Sequence, residues 1–331
     1  MPSSIIMFET PILFLIFNRP DTTKKVFEKI REIKPKTLYV AADGAREGDI
    51  QEENNCALAR QIAIDVDWNC EVKTLFRNKN LGCKEAVSTA LNWFFSEVEE
   101  GIILEDDCLP SSAFFEYCKS LLEKFRNNPD VISINGCNYG YQYDKASYFY
   151  SRHFNAWGWA SWRRASEEVS YSISDWDELT VDKKYSFLYD RLKLAPVDLD
   201  KPWFEYWRKI FDSISDGTLN TWDYFWLYYQ LKNKKYSILP AVNLVKNIGF
   251  HEKATHTTFV THPAALLDAN ELSIPLKENK KVRVNIDYEI KALQPINYMY
   301  SRKQNSFYLK KQLSKIPCFR HIIYLKKRVF S

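Results

Sequence analysis

Between residues 11 and 134, short apolar runs alternate with longer stretches in which apolar positions recur every three or four residues, the pattern of strand followed by amphipathic helix. Ile12 to Phe17 is an unbroken apolar strand, and Asp21 to Ile33 follows as a helix with an acidic first turn and Val26, Ile30 and Ile33 at helical spacing. Leu38 to Ala42 is the next strand, ending at Asp43-Gly44. Glu52 to Asp65 reads as helix, Val72 to Phe76 as strand, and Lys84 to Glu97 as a helix entered through Asn80-Leu81-Gly82. A strand running from Gly101 into Glu105, a helix from Ser112 to Asn127 and a strand from Val131 to Ile134 complete the series. This rhythm predicts an α/β fold with a mostly parallel central sheet flanked by helices on both faces. Its strand ends are Asn18-Arg19, Asp43-Gly44, Arg77-Asn78 and Glu105-Asp106-Asp107. They are expected along one rim, where open α/β sheets bind ligands, and their polarity suits a nucleotide.

Past residue 135 the rhythm breaks. Tyr148 to Tyr150 reads as a strand, Ala156 to Trp162 as a dense aromatic segment in which Gly158 lets backbone or ligand come close. Pro202 to Ser215 is a helix with proline in its first turn, and Thr221 to Lys232 another, with Thr221 as N-cap and Trp222, Asp223 and Tyr224 in its first turn. Ser237 to Leu239 leads into Pro240, Asn247 to Thr257 reads as a long polar loop, and Val282 to Ile286 as a short strand. The domain reading is therefore residues 1–135 as a nucleotide-binding α/β half, 136–265 as a second, aromatic-rich half of the same domain, and 266–331 as a C-terminal extension.

Composition sharpens two points. Aromatics reach 15% and include 10 Trp and 20 Tyr, clustered after residue 139; such rings suit carbohydrate as well as core packing. Nine of the 46 basic residues fall in residues 301–331, which hold no acid, so the remainder carries 37 bases against 42 acids. With Phe307, Ile322, Leu325 and Phe330 among the interleaved apolar residues, that tail either lies on an anionic membrane surface or packs on the body as a helix with a solvated basic face. Nucleic acid is disfavoured, because the basic residues do not continue into the body. Seven scattered cysteines without C-x-x-C pairing point to reduced thiols in a cytoplasm-like compartment and away from a zinc site. Neither a signal peptide nor a spanning segment is recognisable.

The strongest chemical signal is Ile103-Leu104-Glu105-Asp106-Asp107, an aliphatic run set against three carboxylates at a strand's carboxyl end. Adjacent acids repel unless water, a cation or a ligand offsets them. Oxygen-only donors favour Mn²⁺ or Mg²⁺, the shell completed by water and substrate phosphates. A merely solvated acidic loop is the other reading of these three residues alone.

Together with Pro11-Ile12-Leu13 through Asn18-Arg19, the Asp43-Gly44 turn, Phe114-Phe115-Glu116-Tyr117, Trp157-Gly158-Trp159 and Trp222-Asp223, this segment resembles glycosyltransferases of the GT-A fold. The similarity is to the inverting N-acetylglucosaminyltransferase I type and its bacterial relatives, over roughly residues 10 to 260. The resemblance implies a Rossmann-like GT-A sheet and a metal-dependent, inverting hexosyl- or N-acetylhexosaminyltransferase using a UDP-sugar, with a glycan or lipid-linked acceptor of bacterial surface polysaccharide. It implies Asp107 as the side-chain metal ligand, Asp106 facing the ribose and Glu105 holding sugar hydroxyls. Arg19 and Asp43 fall where the family reads uracil, although its uracil-contacting histidine has no counterpart between Leu81 and Lys84. Asp223 matches the catalytic base and Trp222 a sugar-facing aromatic, while Thr255-His256 matches a pair in a loop that orders over the donor, where Lys253 would reach the diphosphate. On residues alone, Asp223 in a first turn also simply complements the helix dipole, and Trp157, Trp159 and Trp162 form either an acceptor platform or core. The rival functions are a non-catalytic carbohydrate-binding scaffold and a sugar nucleotidyltransferase. The latter would want a glycine-rich loop after the first strand, where this chain has Asn18-Arg19-Pro20-Asp21.

Overall fold

The computed structural model describes residues 7–193, 200–250 and 263–295. The chain opens with β1 (Ile12–Ile16), α1 (Pro20–Ile33), β2 (Thr37–Ala42), α2 (Ile50–Ala63), β3 (Glu71–Phe76), α3 (Cys83–Glu97) and β4 (Glu100–Glu105). Next come β5 (Cys108–Pro110), α4 (Ser112–Phe125), β6 (Val131–Asn135), β7 (Tyr148–Ser151) and β8 (Trp159–Trp162). Two short helical turns, α5 (Arg163–Ser166) and α6 (Ser174–Asp177), precede α7 (Val181–Leu192), α8 (Asp200–Ser215), α9 (Asp223–Lys232), β9 (Tyr236–Pro240) and β10 (Val245–Asn247). A 3₁₀ turn (Pro263–Leu266), α10 (Ile286–Tyr288) and a π-helical turn (Glu289–Leu293) end the described chain.

Eight strands form one sheet in the order β3-β2-β1-β4-β8-β6-β9-β7. β3, β2, β1 and β4 are mutually parallel, β8 runs against β4 and β6, β9 is parallel to β6, and β7 is antiparallel to β9. This is a mostly parallel, Rossmann-like α/β sheet. Alternation within each strand sorts the core into two layers: Leu13, Leu15, Tyr39, Ala41 and Ile103 face α3, α8 and α9, whereas Ile12, Phe14, Leu38, Val40, Ile102 and Leu104 face α1, α2 and α4. In β6 the alternation slips, Ile132 lying in the first layer and both Val131 and Ile134 in the second, because the register with β9 shifts between Val131 and Ser133.

Several sequence expectations are corrected. The aromatic segment contains a strand, β8, inserted between β4 and β6 with Trp159 and Trp162 fully buried, so these two indoles are core and only half-buried Trp157 remains near the surface. Val282 to Ile286 is no strand; Val284 makes one isolated bridge to Tyr150. Thr221 does not cap α9, whose N-cap is Trp222; the Thr221 hydroxyl donates instead to Asp223. Gly158, at φ +62°, faces β10, where a Cβ would stand 2.7 Å from Val245 Cγ2. Thr255, His256, Lys253 and the basic tail 301–331 lie outside the described residues. Among those described, no helix is long and apolar enough to cross a membrane.

The segment after residue 263 is strapped to the body by long-range contacts. Glu271 accepts from Ser112 N and Ala113 N at 3.2 and 3.1 Å, capping α4, whose own N-cap Ser111 makes no such bond. Fully buried Glu289 receives Arg152 Nε at 3.0 Å and Nη2 at 2.8 Å, while Arg152 Nη1 and Nη2 also donate to the carbonyls of Arg191 and Lys193. His153 Nδ1 lies 3.4 Å from Glu289 Oε1, with its ring against both Trp203 and Trp207 at centroid distances of 5.6 and 5.7 Å.

Burial pushes His153 below its ordinary 6.5, outweighing the attraction of Glu289. Burial would raise Glu289, but His153 and Arg152 hold it below 4.5. The native cluster therefore keeps a neutral imidazole beside an ionised carboxylate. The unfolded chain takes up the His153 proton more readily, so the stability linked to His153 is complete above pH 6.5 and is lost as pH falls below it. The contribution of Glu289 is lost in turn below 4.5. Urea unfolding from about pH 8 to about pH 5 should show falling stability, with that slope flattened in His153→Phe, which keeps an untitratable ring against the two indoles. Glu289→Gln should cost about 3 kcal/mol at the upper pH, by leaving the part-buried Arg152 without its counter-charge.

Candidate functional site

The chain builds outward from β1 through β2 to β3, then crosses back so that β4 lies on the other side of β1. That reversal is the topological switch point, and the crevice beyond the carboxyl ends of the two strands is where such sheets bind ligands. β1 delivers Phe17, Asn18 and Arg19 there; β4 delivers Glu105, Asp106 and Asp107. The strand ends are fastened to one another, Phe17 N donating to Asp106 Oδ2 at 3.0 Å. Arg19, at the N-cap of α1, places Nη1 2.7 Å from Asp107 Oδ2 and 3.7 Å from Asp106 Oδ1.

Three carboxylates in so small a volume perturb one another. Burial first, then the charges of Asp107, Asp106 and Asp223, push Glu105 well above the ordinary range. Burial and Asp107 push Asp106 up to about 7, against the opposing pull of Arg19 and the Phe17 amide. Burial works against the charge of Arg19, but Asp106 and Asp107 outweigh it and Arg19 remains a cation. The influence of Asp223 on Glu105 matters most, since it brings a residue from the start of α9, far along the sequence, into the field of the acidic tip. Cys83 lies among the same groups: burial raises its thiol, and Glu105, Asp223, Asp43 and Asp107 add to the shift.

Asp43 has a task that its Asp-Gly sequence did not indicate. Its carboxylate accepts from Gly44 N at 2.9 Å, Leu81 N at 2.9 Å, Gly82 N at 3.0 Å and Asn80 Nδ2 at 3.0 Å, and so shapes the loop that enters α3. Arg60 of α2 draws the ends of β2 and β3 together by donating to the carbonyls of Asp43 at 2.9 Å and Arg77 at 2.6 Å. Asn18 is fixed by buried Glu52, which also accepts from Arg46. Trp222 is 2% exposed and stacked on Trp159 at 5.7 Å, so its ring faces the core.

A second, two-stranded ribbon walls the tip. β5 and β10 pair antiparallel with Cys108 opposite Asn247, Ile248 N donates to the Asp107 carbonyl at 2.8 Å, and the chain then passes over the Asp107 carboxylate at Gly249. A Cβ at position 249 would stand 2.1 Å from Asp107 Oδ2. The sequence marked this stretch as a polar loop, resembling one that orders over a donor, but not its contact with Asp107; the glycine inside it was the available signal. Cys83, directly after Asn80-Leu81-Gly82, was likewise visible only as a helix entry.

No family model matches this chain, and no curated protein matches it. Solved structures give matches at low similarity. UDP-glucose pyrophosphorylase complexed with UDP-glucose is 11% identical, covering 72% of this chain and 93% of its own, with a TM-score of 0.34. Mouse xyloside xylosyltransferase 1 is 9% identical over 68% of this chain and 82% of its own, TM-score 0.31. HddC from Yersinia pseudotuberculosis is 13% identical over 52% and 87%, TM-score 0.30. Such scores carry no functional argument, and the case for the site stands on its own geometry.

Gly249→Ala should push the Asp107 carboxylate off Arg19 and cost about 1–3 kcal/mol in urea unfolding. An unchanged midpoint, with Asp107 still on Arg19 in a crystal structure of the variant, would contradict this. Asp43→Asn should cost about 2 kcal/mol, because an amide cannot accept from all the loop N–H groups that the carboxylate serves, and hydrogen exchange at Leu81 and Gly82 should rise.

Proposed function

We propose that this chain is a divalent-metal-dependent glycosyltransferase of GT-A type, moving a sugar with inversion from a nucleoside diphosphate donor, UDP-linked, to a hydroxyl of a glycan acceptor. The observation that supports it most is the convergence of Glu105, Asp106 and Asp107 at the switch point with Asp223 close enough to raise Glu105.

The donor set suits Mn²⁺ or Mg²⁺. It consists of carboxylate oxygens, and among the described residues no group of three or more His, Cys, Asp or Glu is placed to hold a metal ion by itself, so the protein would supply fewer ligands than that. Asp107 would supply one oxygen, leaving the remaining positions to diphosphate and water. A cation there would also relieve the repulsion that lifts Glu105 and Asp106. When bound, such an ion supplies Lewis-acid neutralisation of the departing diphosphate.

The chain's own residues do the rest. Asp106, one oxygen fixed by Phe17 N, presents the other toward the donor's ribose, and Glu105 accepts from sugar hydroxyls. Arg19 and the loop shaped by Asp43 border the nucleotide. Asp223, half-buried and oriented by the Thr221 hydroxyl, takes the acceptor proton as the new bond forms on the face opposite the leaving group. Trp222 contributes by fixing the start of α9 from within the core.

UDP release from a panel of UDP-sugars with Mn²⁺ and a glycan acceptor tests this reading. Asp107→Ala and Asp223→Asn should each lower turnover by about 10²-fold or more, and chelation by EDTA should abolish it. Turnover that ignores both substitutions removes these residues from the mechanism.

A further inference from the structure

We propose that Arg19 is a built-in counter-cation that competes with the divalent ion for Asp107, so that metal enters only together with a nucleoside diphosphate that takes the guanidinium in exchange. This rests on Asp107 being the metal ligand and goes further by setting the order of binding.

Arg19 Nη1 stands 2.7 Å from Asp107 Oδ2, the length of a charge-assisted hydrogen bond, with the side chains 21% and 12% exposed. The same oxygen is walled by the chain at Gly249, where a Cβ would lie 2.1 Å from it. The other oxygen, Oδ1, lies 3.6 Å from the buried Cys108 Sγ. A small hard dication such as Mg²⁺ needs a carboxylate oxygen at about 2.0–2.1 Å. It cannot reach Oδ2 while a guanidinium nitrogen holds that atom, both because the space is taken and because two cations on one oxygen repel at low dielectric.

The exchange needs a side-chain movement only, since the Arg19 backbone is held by its carbonyl, which accepts from Thr23 N at 2.9 Å and Thr23 Oγ1 at 2.7 Å. The displaced guanidinium leaves a strong partner, and Asp106 Oδ1, at 3.7 Å, offers only a longer contact within the same crowded tip. A diphosphate brings oxygens that a planar guanidinium binds in pairs, together with the remaining ligands for the metal. Bare metal gains one carboxylate and strands Arg19; metal with diphosphate satisfies both. Arg19, expected where the base is read, would then exchange between Asp107 and phosphate instead.

Depletion of the free Mn²⁺ electron paramagnetic resonance signal measures binding directly and needs no turnover. Wild type, Arg19→Gln, Arg19→Lys and Asp107→Asn would be titrated with Mn²⁺, with and without UDP. Without UDP, Arg19→Gln should bind Mn²⁺ about tenfold or more tightly than wild type, the worth of one charged hydrogen bond, and Mn²⁺ alone should raise its melting temperature but not that of wild type. Arg19→Lys keeps the counter-charge for folding while losing the planar fork, so its affinity should fall between the two. With UDP the advantage of Arg19→Gln should shrink. Wild type binding Mn²⁺ alone as tightly as both Arg19 variants, with Asp107→Asn unable to bind, overturns the competition and leaves the metal site standing. Binding by none of the proteins with or without UDP, or undiminished binding by Asp107→Asn, overturns the metal reading and the competition with it.

Discussion

The hydrogen bond from Phe17 N to Asp106 Oδ2, 3.0 Å long, joins the carboxyl ends of two neighbouring parallel strands and makes one rim of them. Without that adjacency Arg19 and the acidic tip would be separate surface features. With it, a cation leaving β1 and carboxylates leaving β4 occupy the same few ångströms, and their mutual charges decide what can bind. Burial makes the arrangement consequential. The same groups in open solvent would be screened, whereas here Asp106 rises to about 7 and Glu105 higher than its ordinary range.

Around that junction the fold adds parts that only hold position. Asp43 and Arg60 spend their hydrogen-bonding capacity on backbone, fixing the loop into α3 and the ends of β2 and β3. The β5–β10 ribbon brings Gly249 against Asp107 from the opposite side. Charged residues near a ligand site are easily read as ligand contacts, yet a carboxylate already accepting several N–H groups shapes the site chiefly through the loop it holds.

Much of the first half was legible because its signals are local. Continuous apolar runs mark β1, β2 and β4, and Pro20 marks the first residue of α1 to within one position of the expected start. The acids were visible because three carboxylates directly follow an aliphatic run, although by themselves those residues fitted a solvated acidic loop as well. What escaped is non-local. β8 is four residues buried on both faces between β4 and β6, so Trp159-Ala160-Ser161-Trp162 shows no polar alternation to give it away. β5 and β10 are three residues each and exist only through their pairing. The Arg19–Asp107 ion pair spans 88 positions, and no spacing rule reaches that far.

The relation of Asp223 to the acidic tip follows from the same non-local packing. Ile103, two residues before Glu105 on β4, pairs directly with Trp159 of β8. Trp159 stacks on Trp222 at 5.7 Å and 23°, and meets Trp226 edge-on at 4.7 Å, while Phe154 closes on Trp226 at 5.5 Å. Trp222 is the N-cap of α9 and Asp223 its first residue. The path from one carboxylate group to the other thus runs through strand pairing and close-packed rings, each aromatic pair adding about 0.5–1.5 kcal/mol beyond its buried area. In the proposed reaction, a proton acceptor that must stand at a fixed distance from a leaving group gains more from that rigidity than from a direct contact with sugar. The indoles of Trp159, Trp222 and Trp226, which composition connects with core more readily than with carbohydrate, therefore act from inside: they set where Asp223 stands.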